Sequence, residues 1–428
     1  MDSSNIFYDF DKLLNTDSKK LDLLDPLAKF RERFVIDDLN LIYLDGNSLG
    51  RLPVASKELV EKVVIEQWGN RLIRSWNEGW LDVVSRVGDK IGKLVGAQEG
   101  EVLLADSTTV CLYKAAVSAL LSMPKRSVIL TDDQNFPSDI QALRAAADAV
   151  SGEHRVVVVK SDGIHGPVEN LIAAFDDNVA LVSLSQVSYR SGWCWEMQEI
   201  TDAAHEVGAL ILWDLSHSVG VVPINLRNDE VDLAVGCTYK YLNGGPGAPA
   251  FIYISEQCSG LRNPIAGWYG SEDPFSFNPD SVAQSGNKRF LTGTPPIVSA
   301  SLIEPGVDLI IEAGIKNIRE KSVALSEKFL KQVIEKLLPI GLSIYSPMDH
   351  ERRGSHISVA HPEALAIGQA LIHDHSIIPD VRPPDLLRFG FSPLYTTFSE
   401  LEEAIEMTIE VVSGDGINKW RNAIPIVP

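Results

Sequence analysis

A chain of 428 residues, 45% hydrophobic and 22% charged, has the composition of a folded globular protein rather than a disordered one, and its length suggests two domains with a third within reach. Its formal net charge of −20 sets it against nucleic acid and anionic membrane surfaces, because the nearest things to basic patches, Lys19-Lys20 and Arg352-Arg353, are short. No apolar run approaches the roughly 20 residues of a membrane span. Met1 to Lys20 lacks the apolar segment of a signal peptide, so a cytoplasmic location is expected. The four cysteines, Cys111, Cys194, Cys237 and Cys258, form no Cys-x-x-Cys pair and read as buried reduced thiols.

Leu59, Val63, Ile65 and Trp68 recur at near-helical spacing and predict an amphipathic helix over 56–75, followed by another over 82–95. An apolar helical run from Val110 to Leu121 follows Ser107-Thr108-Thr109. Short apolar runs then predict strands at 127–131, 155–160, 180–185, 209–213, 233–237 and 250–254, with helices at 138–150 and 200–207. Strands that are apolar on both faces and separated by helices imply an α/β fold with a mainly parallel, helix-covered sheet. Beyond Pro295-Pro296, a helix over 305–336, strands at 341–345, 356–360 and 386–391 and a helix at 401–412 predict a smaller α+β C-terminal domain. The expected division is 1–55 as an N-terminal segment packing with the small domain, 56–300 as the large α/β domain and 301–428 as the small one.

The stretch richest in chemistry is 209–249. Asp214 ends an apolar strand, the place where open α/β sheets bind ligands. Lys240 follows a second apolar run, between two tyrosines and just before Asn243-Gly244-Gly245-Pro246-Gly247. An aspartate for a pyridinium nitrogen and a lysine for a Schiff base are the two groups that pyridoxal phosphate most needs. Taken alone, the same residues also suit a helix-capping aspartate and an exposed lysine. Other chemistries are poorly served. His373-Asp374-His375 lacks a third metal ligand, the glycines lack the Gly-Lys-Ser/Thr of a phosphate loop, and Ser216 lacks a hydrolase elbow.

Several motifs, in order along the chain, resemble those of kynureninases. They are Tyr43-Leu44-Asp45-Gly46-Asn47-Ser48-Leu49-Gly50, Asn135-Phe136-Pro137-Ser138-Asp139, Asp214-Leu215-Ser216-His217-Ser218, Gly236 through Gly247, Gly267-Trp268-Tyr269-Gly270 and Arg382 through Tyr395. The resemblance implies a fold-type-I pyridoxal-phosphate architecture with a seven-stranded sheet. It implies hydrolysis of L-kynurenine to anthranilate and L-alanine in tryptophan breakdown, a route that also feeds NAD synthesis. It also implies a homodimer whose sites are completed across the interface by Trp268 and Thr294.

Residue by residue, the resemblance makes Lys240 the Schiff-base lysine and proton carrier, Asp214 the pyridinium partner supported by His217, and Tyr239 a phosphate ligand and candidate acid or base. Phe136 would stack on the ring, with Asp139 beside it. Thr108 and Thr109 would hold the phosphate at a helix N-terminus, where a cap is the plainer alternative. Arg388 would take the substrate carboxylate, with Arg382 as its competitor and Ser48 nearby. Cys111 stands where the family often has Asn. Trp76 and Thr294 occupy positions where members preferring 3-hydroxykynurenine tend to carry His and Asn, so unsubstituted kynurenine is the expected substrate, with a ring-substituted kynurenine as the alternative. A desulfurase would need a mobile nucleophilic cysteine, and Cys258 is the one loop candidate.

Overall fold

A computed structural model describes residues 9–421. The chain enters through two short helices, α1 (Phe10–Asn15) and α2 (Ser18–Leu24), and a two-residue strand β1 (Ile42–Tyr43). The amphipathic stretch at 56–75 is not one α-helix: α3 (Val54–Glu61) widens into a π-helical segment over 62–71 and tightens into a 3-10 turn over 72–76. Side chains spaced near 3.6 residues do not distinguish these windings, so the pattern could not reveal the change.

The large sheet is then laid down by α4 (Val83–Val95), β2 (Val102–Leu104), α5 (Thr108–Ser122), β3 (Val128–Asp132), α6 (Pro137–Val150), β4 (Arg155–Val159), α7 (Val168–Ala173), β5 (Val179–Ser185), α8 (Met197–Glu206), β6 (Leu210–Asp214), β7 (Leu233–Gly236) and β8 (Phe251–Ile254). Its order is β2-β8-β7-β6-β5-β3-β4. The pairs from β7 through β4 are parallel, and β8 runs antiparallel to both β7 and β2. β5 is buried along its whole length, as expected of a strand apolar on both faces between two helix layers. β2 is three residues long and α7 six, too short for a periodic signal.

The helix expected over 305–336 is two helices, α9 (Ile297–Ala313) and α10 (Ile315–Gln332). They part at Gly314, whose φ of +80° breaks the helix, whereas Pro305 lies inside α9. The strand expected at 341–345 shrinks to β9 (Ser343–Ile344). β10 (His356–Ala360), α11 (Ala364–His375), β11 (Ile377–Ile378), β12 (Asp380–Arg382), β13 (Leu386–Gly390), α12 (Phe398–Ser413) and α13 (Gly416–Trp420) complete the chain. The order β12-β13-β10-β9 forms an antiparallel sheet, while β1 pairs in parallel with β11.

The buried apolar residues form two cores. One is centred on the large sheet and takes in α9; the other gathers the small sheet, α12 and the N-terminal Leu13, Leu21, Ile42 and Leu44. The changeover falls inside α10, between Ile318 and Ala324. Lys321, at this changeover, is buried, with Nζ 2.7 Å from Asp25 and 2.6 Å from the carbonyl of Pro393. It ties the N-terminal segment to α10. Asp25→Ala would strand that ammonium, and such losses cost about 3–5 kcal/mol. A chemical or thermal melt of the variant should show a large destabilisation; a change under about 1 kcal/mol would mean the pair is not buried in solution.

Candidate active site

A cavity of 590 Å³ is lined by residues at or just past the carboxyl ends of β5 and β6 and at the start of the helices that follow β2 and β3. This is where a parallel sheet leaves its crevice. Thr108, Thr109, Phe136, Asp139, Asp214, His217, Tyr239, Lys240 and Thr294 all line it.

Asp214 is the last residue of β6 and is buried. Its Oδ1 accepts the Ser216 N–H at 2.9 Å and the Ser216 hydroxyl at 2.6 Å, while the Ser216 oxygen accepts the Cys237 N–H at 3.0 Å. The carboxylate is thereby braced against the end of β7. Asp139, in the first turn of α6, faces it. Burial, then the negative charge of Asp214, holds the Asp139 proton on well above the usual carboxylate range.

Lys240 is half-buried, with Nζ 2.9 Å from Nε2 of His217 and 6.0 Å from the centre of the Tyr239 ring. Burial, then the charge of Lys240, pushes His217 well below its ordinary pKa and leaves it neutral. Burial, then the neighbouring Cys237, raises the Tyr239 hydroxyl above its ordinary value, so it stays protonated. The backbone here is fixed from outside: the Gly50 N–H donates to the Tyr239 carbonyl at 2.8 Å. A side chain at Gly50 would collide with the Lys240 carbonyl, which explains why a glycine ends that motif.

At the far end, Ser107 stands at the N-cap of α5 without making a side-chain cap bond, so the first-turn N–H groups meet the cavity without helical partners. Phe136, just before α6, presents its ring to the cavity and packs edge-to-face on Tyr189 at 5.0 Å. The loop carrying Thr294 is anchored by Lys114, fully buried, whose Nζ reaches Asp106 at 2.7 Å and the Phe290 carbonyl at 2.6 Å.

Ser48, Trp76, Trp268 and Arg388 do not line this cavity. Trp76 packs on Trp268 at 6.0 Å and on Tyr269 at 6.2 Å, and Tyr269 is the one that reaches the cavity wall. Trp268 lines a separate cleft of 730 Å³. Arg388 is fully buried on β13, donating to Ser48 Oγ at 2.8 Å and to the Tyr189 carbonyl at 2.5 Å, and ion-paired with Asp380. Arg382 also pairs with Asp380, at 2.8 Å, and is partly exposed. Cys111 is fully buried in the core, its thiol pushed up to about 12 by burial. Cys258 is not a mobile loop nucleophile: it closes a 3-10 turn, is buried against Asp232, and has its thiol pushed up to about 12. Tyr189 and Asp380 were not singled out in the sequence, and Tyr269 only as part of the Gly267-Trp268-Tyr269-Gly270 motif; the position of Tyr189 just past a parallel strand gave a signal.

A family model described as the kynureninase C-terminal domain matches residues 318–408. A kynureninase of Pseudomonas fluorescens is 41% identical over 402 residues, covering 92% of this chain and 95% of that protein. The chain belongs to the kynureninase family. A kynureninase of Burkholderia pseudomallei (strain 1106a) is 38% identical, covering 94% of this chain and 95% of its own. In fold, a cysteine desulfurase of Thermococcus onnurineus NA1 superimposes with a TM-score of 0.75 at 19% identity, over 90% of this chain and 98% of that one. The architecture is that of the fold-type-I pyridoxal-phosphate enzymes. The donor set also fits a flat cationic heterocycle carrying a phosphate, with a buried carboxyl pair and Lys240 on one wall and an uncapped helix N-terminus on another.

Asp45 lies 4.0 Å from Arg388, and burial, then the charge of Asp380, lifts it from 3.8 to about 6. Between those values the native state binds more protons than the unfolded one, so this stabilisation is lost as pH rises through the window. The melting temperature of Asp45→Asn, measured relative to the unsubstituted protein, should therefore climb between about pH 4 and about pH 7. A flat or falling difference would contradict the assignment.

Proposed function

We propose that this kynureninase-family protein hydrolyses L-kynurenine to anthranilate and L-alanine with pyridoxal 5'-phosphate as cofactor. The observation that carries the reading is the meeting of Lys240, the Asp214–Asp139 pair and the free N-terminus of α5 in one cavity. When bound, the cofactor supplies an electron sink that weakens the bonds at the substrate's Cα and Cβ.

In this reading, Lys240 holds the cofactor covalently, and Asp214, braced by Ser216 and flanked by Asp139, holds its ring nitrogen. Phe136 covers a ring face. Thr108, Thr109 and the first turn of α5 hold the phosphate, together with Tyr239 and with Trp268 of the partner subunit. Lys240 Nζ takes and returns a proton at the substrate's Cα, while neutral His217 exchanges a proton with it at Nε2. Tyr239 keeps its phenolic proton and donates it. Arg388, with Ser48, takes the substrate carboxylate; Asp380 gives up Arg388 and keeps Arg382.

The protein is read as a homodimer, with Trp268 contributing across the interface; Thr294, expected to do the same, lines the cavity of its own chain. Supporting this, Phe275, Phe277 and Val282 near Trp268, and Ile65, Trp68 and Ile73 on the π-helical segment and the turn after it, are exposed apolar side chains. No helix among the described residues is long and apolar enough to cross a membrane. From its family we read the protein as a cytoplasmic enzyme of tryptophan breakdown, on a route that also feeds NAD synthesis.

The decisive experiment adds L-kynurenine to the yellow holoenzyme and follows anthranilate fluorescence. Product should form with the unsubstituted protein, and Lys240→Ala should lose both turnover and the visible absorbance band. A coloured protein that releases no anthranilate from any kynurenine would sink the reading.

The aryl pocket is expected to discriminate. Trp76 and Thr294 stand where members preferring 3-hydroxykynurenine tend to carry His and Asn, so kcat/KM for kynurenine should exceed that for 3-hydroxykynurenine by about tenfold or more. The reverse order would reassign the substrate.

A further inference from the structure

His356 opens β10 and pairs across the small sheet with Gly390 of β13. It is fully buried, and nothing in the mechanism above uses it. Its ring meets that of His217 edge-on, with centroids 5.9 Å apart and planes at 64°. His217 in turn touches Lys240 through Nε2. Nδ1 of His217 and both nitrogens of His356 are buried without an aligned hydrogen-bond partner among the described residues. The Arg190 carbonyl accepts the Ser358 hydroxyl and has a second lone pair for one nitrogen of the His356 ring, which leaves the other nitrogen to pair elsewhere.

The charged groups facing both rings are Lys240, Arg388 and Arg382, all cations. Both imidazoles are therefore neutral, each with one donor and one acceptor nitrogen. The group that meets Nδ1 of His217 then decides which tautomer it presents to Lys240. A direct N–H···N bond between imidazoles sets their centroids about 5 Å apart, so a movement of about 1 Å joins them. Gly390, the partner of His356, is two residues from Arg388 on β13.

We propose that His356 is a positioning residue for Lys240: it pairs with Nδ1 of His217 and so fixes which nitrogen of His217 bears the proton. The proposal rests on reading Lys240 as the reactive amine.

Two measurements test it. In cofactor-free protein labelled with 15N-histidine, nine histidines make assignment by single substitution tractable. His217 should show one neutral tautomer in the unsubstituted protein and in His356→Gln, and a mixture in His356→Phe. In the holoenzyme, His356→Phe should lower kcat for kynurenine about tenfold or more with KM within about twofold, while His356→Gln stays within about threefold of the parent. If His356→Phe leaves both the His217 shifts and kcat unchanged, or if His356→Gln fails as badly as His356→Phe, the proposal is overturned. Failure of the kynureninase reading would look different, since the unsubstituted enzyme would then release no anthranilate while the nitrogen shifts could still respond.

Discussion

Everything at this site depends on a carboxylate buried at the end of β6. Parallel strands bring their carboxyl termini to one edge, and the apolar run of β6 delivers Asp214 there with little access to water. A second carboxyl, Asp139, faces it, an arrangement that disfavours two negative charges and keeps a proton at the pair. Such a pair weakens the folded state unless a positive or proton-donating partner enters the cavity. Its persistence, braced by Ser216 and the Cys237 N–H, is the clearest physical sign that the cavity is built for a cationic ring.

Around that fixed point the N-terminal motif acts as a clasp between the two sheets. Asp45 bridges to Gly390 on β13, and Ser48 accepts a bond from Arg388. Gly50 lies against the backbone of Tyr239 and Lys240. Six residues thus tie the strand carrying Arg388 to the loop carrying Lys240. The absence of a side chain at Gly50 permits the close approach, so the motif's conformational demands are inseparable from its place in the site.

The large sheet was legible because its strands are apolar on both faces and are punctuated by helices of ordinary length. Asp214, directly after such a run, and Lys240, a little past the next, also suit other roles on spacing alone, and it was the kynureninase-like motifs around them that singled them out. What escaped was whatever depends on winding or on contacts distant in sequence. The π-helical turn at 62–71 keeps a near-helical apolar spacing, and Gly314, though a strong breaker, lay hidden inside a continuous pattern that seemed to start at Pro305. Asp380 and Tyr189 join the site through β12 and through the turn after β5, and His356 touches His217 only because two sheets meet. Local pattern carries no record of such encounters. Cys258 shows the converse: it read as a loop thiol, and burial against Asp232 removes its reactivity.

The surroundings of Arg388 carry the synthesis one step further. Its donors are already engaged by Tyr189, Ser48 and Asp380, and turning the Asn47 side-chain amide over gives that oxygen Nε and Nη2 at 2.8 and 3.2 Å. A guanidinium buried with its own carboxylate can accept a substrate carboxylate only by exchange, and Asp380 has Arg382 as a second cation to fall back on. If Arg388 takes a substrate carboxylate as proposed, Asp380 stays on Arg382, so nothing leaves the cluster and the newcomer adds one negative charge to it. The gain on binding then comes from bidentate geometry rather than from net attraction. That favours a ligand whose carboxylate is held rigidly by the rest of its contacts, as an amino acid anchored at its amine would be, over a freely diffusing anion.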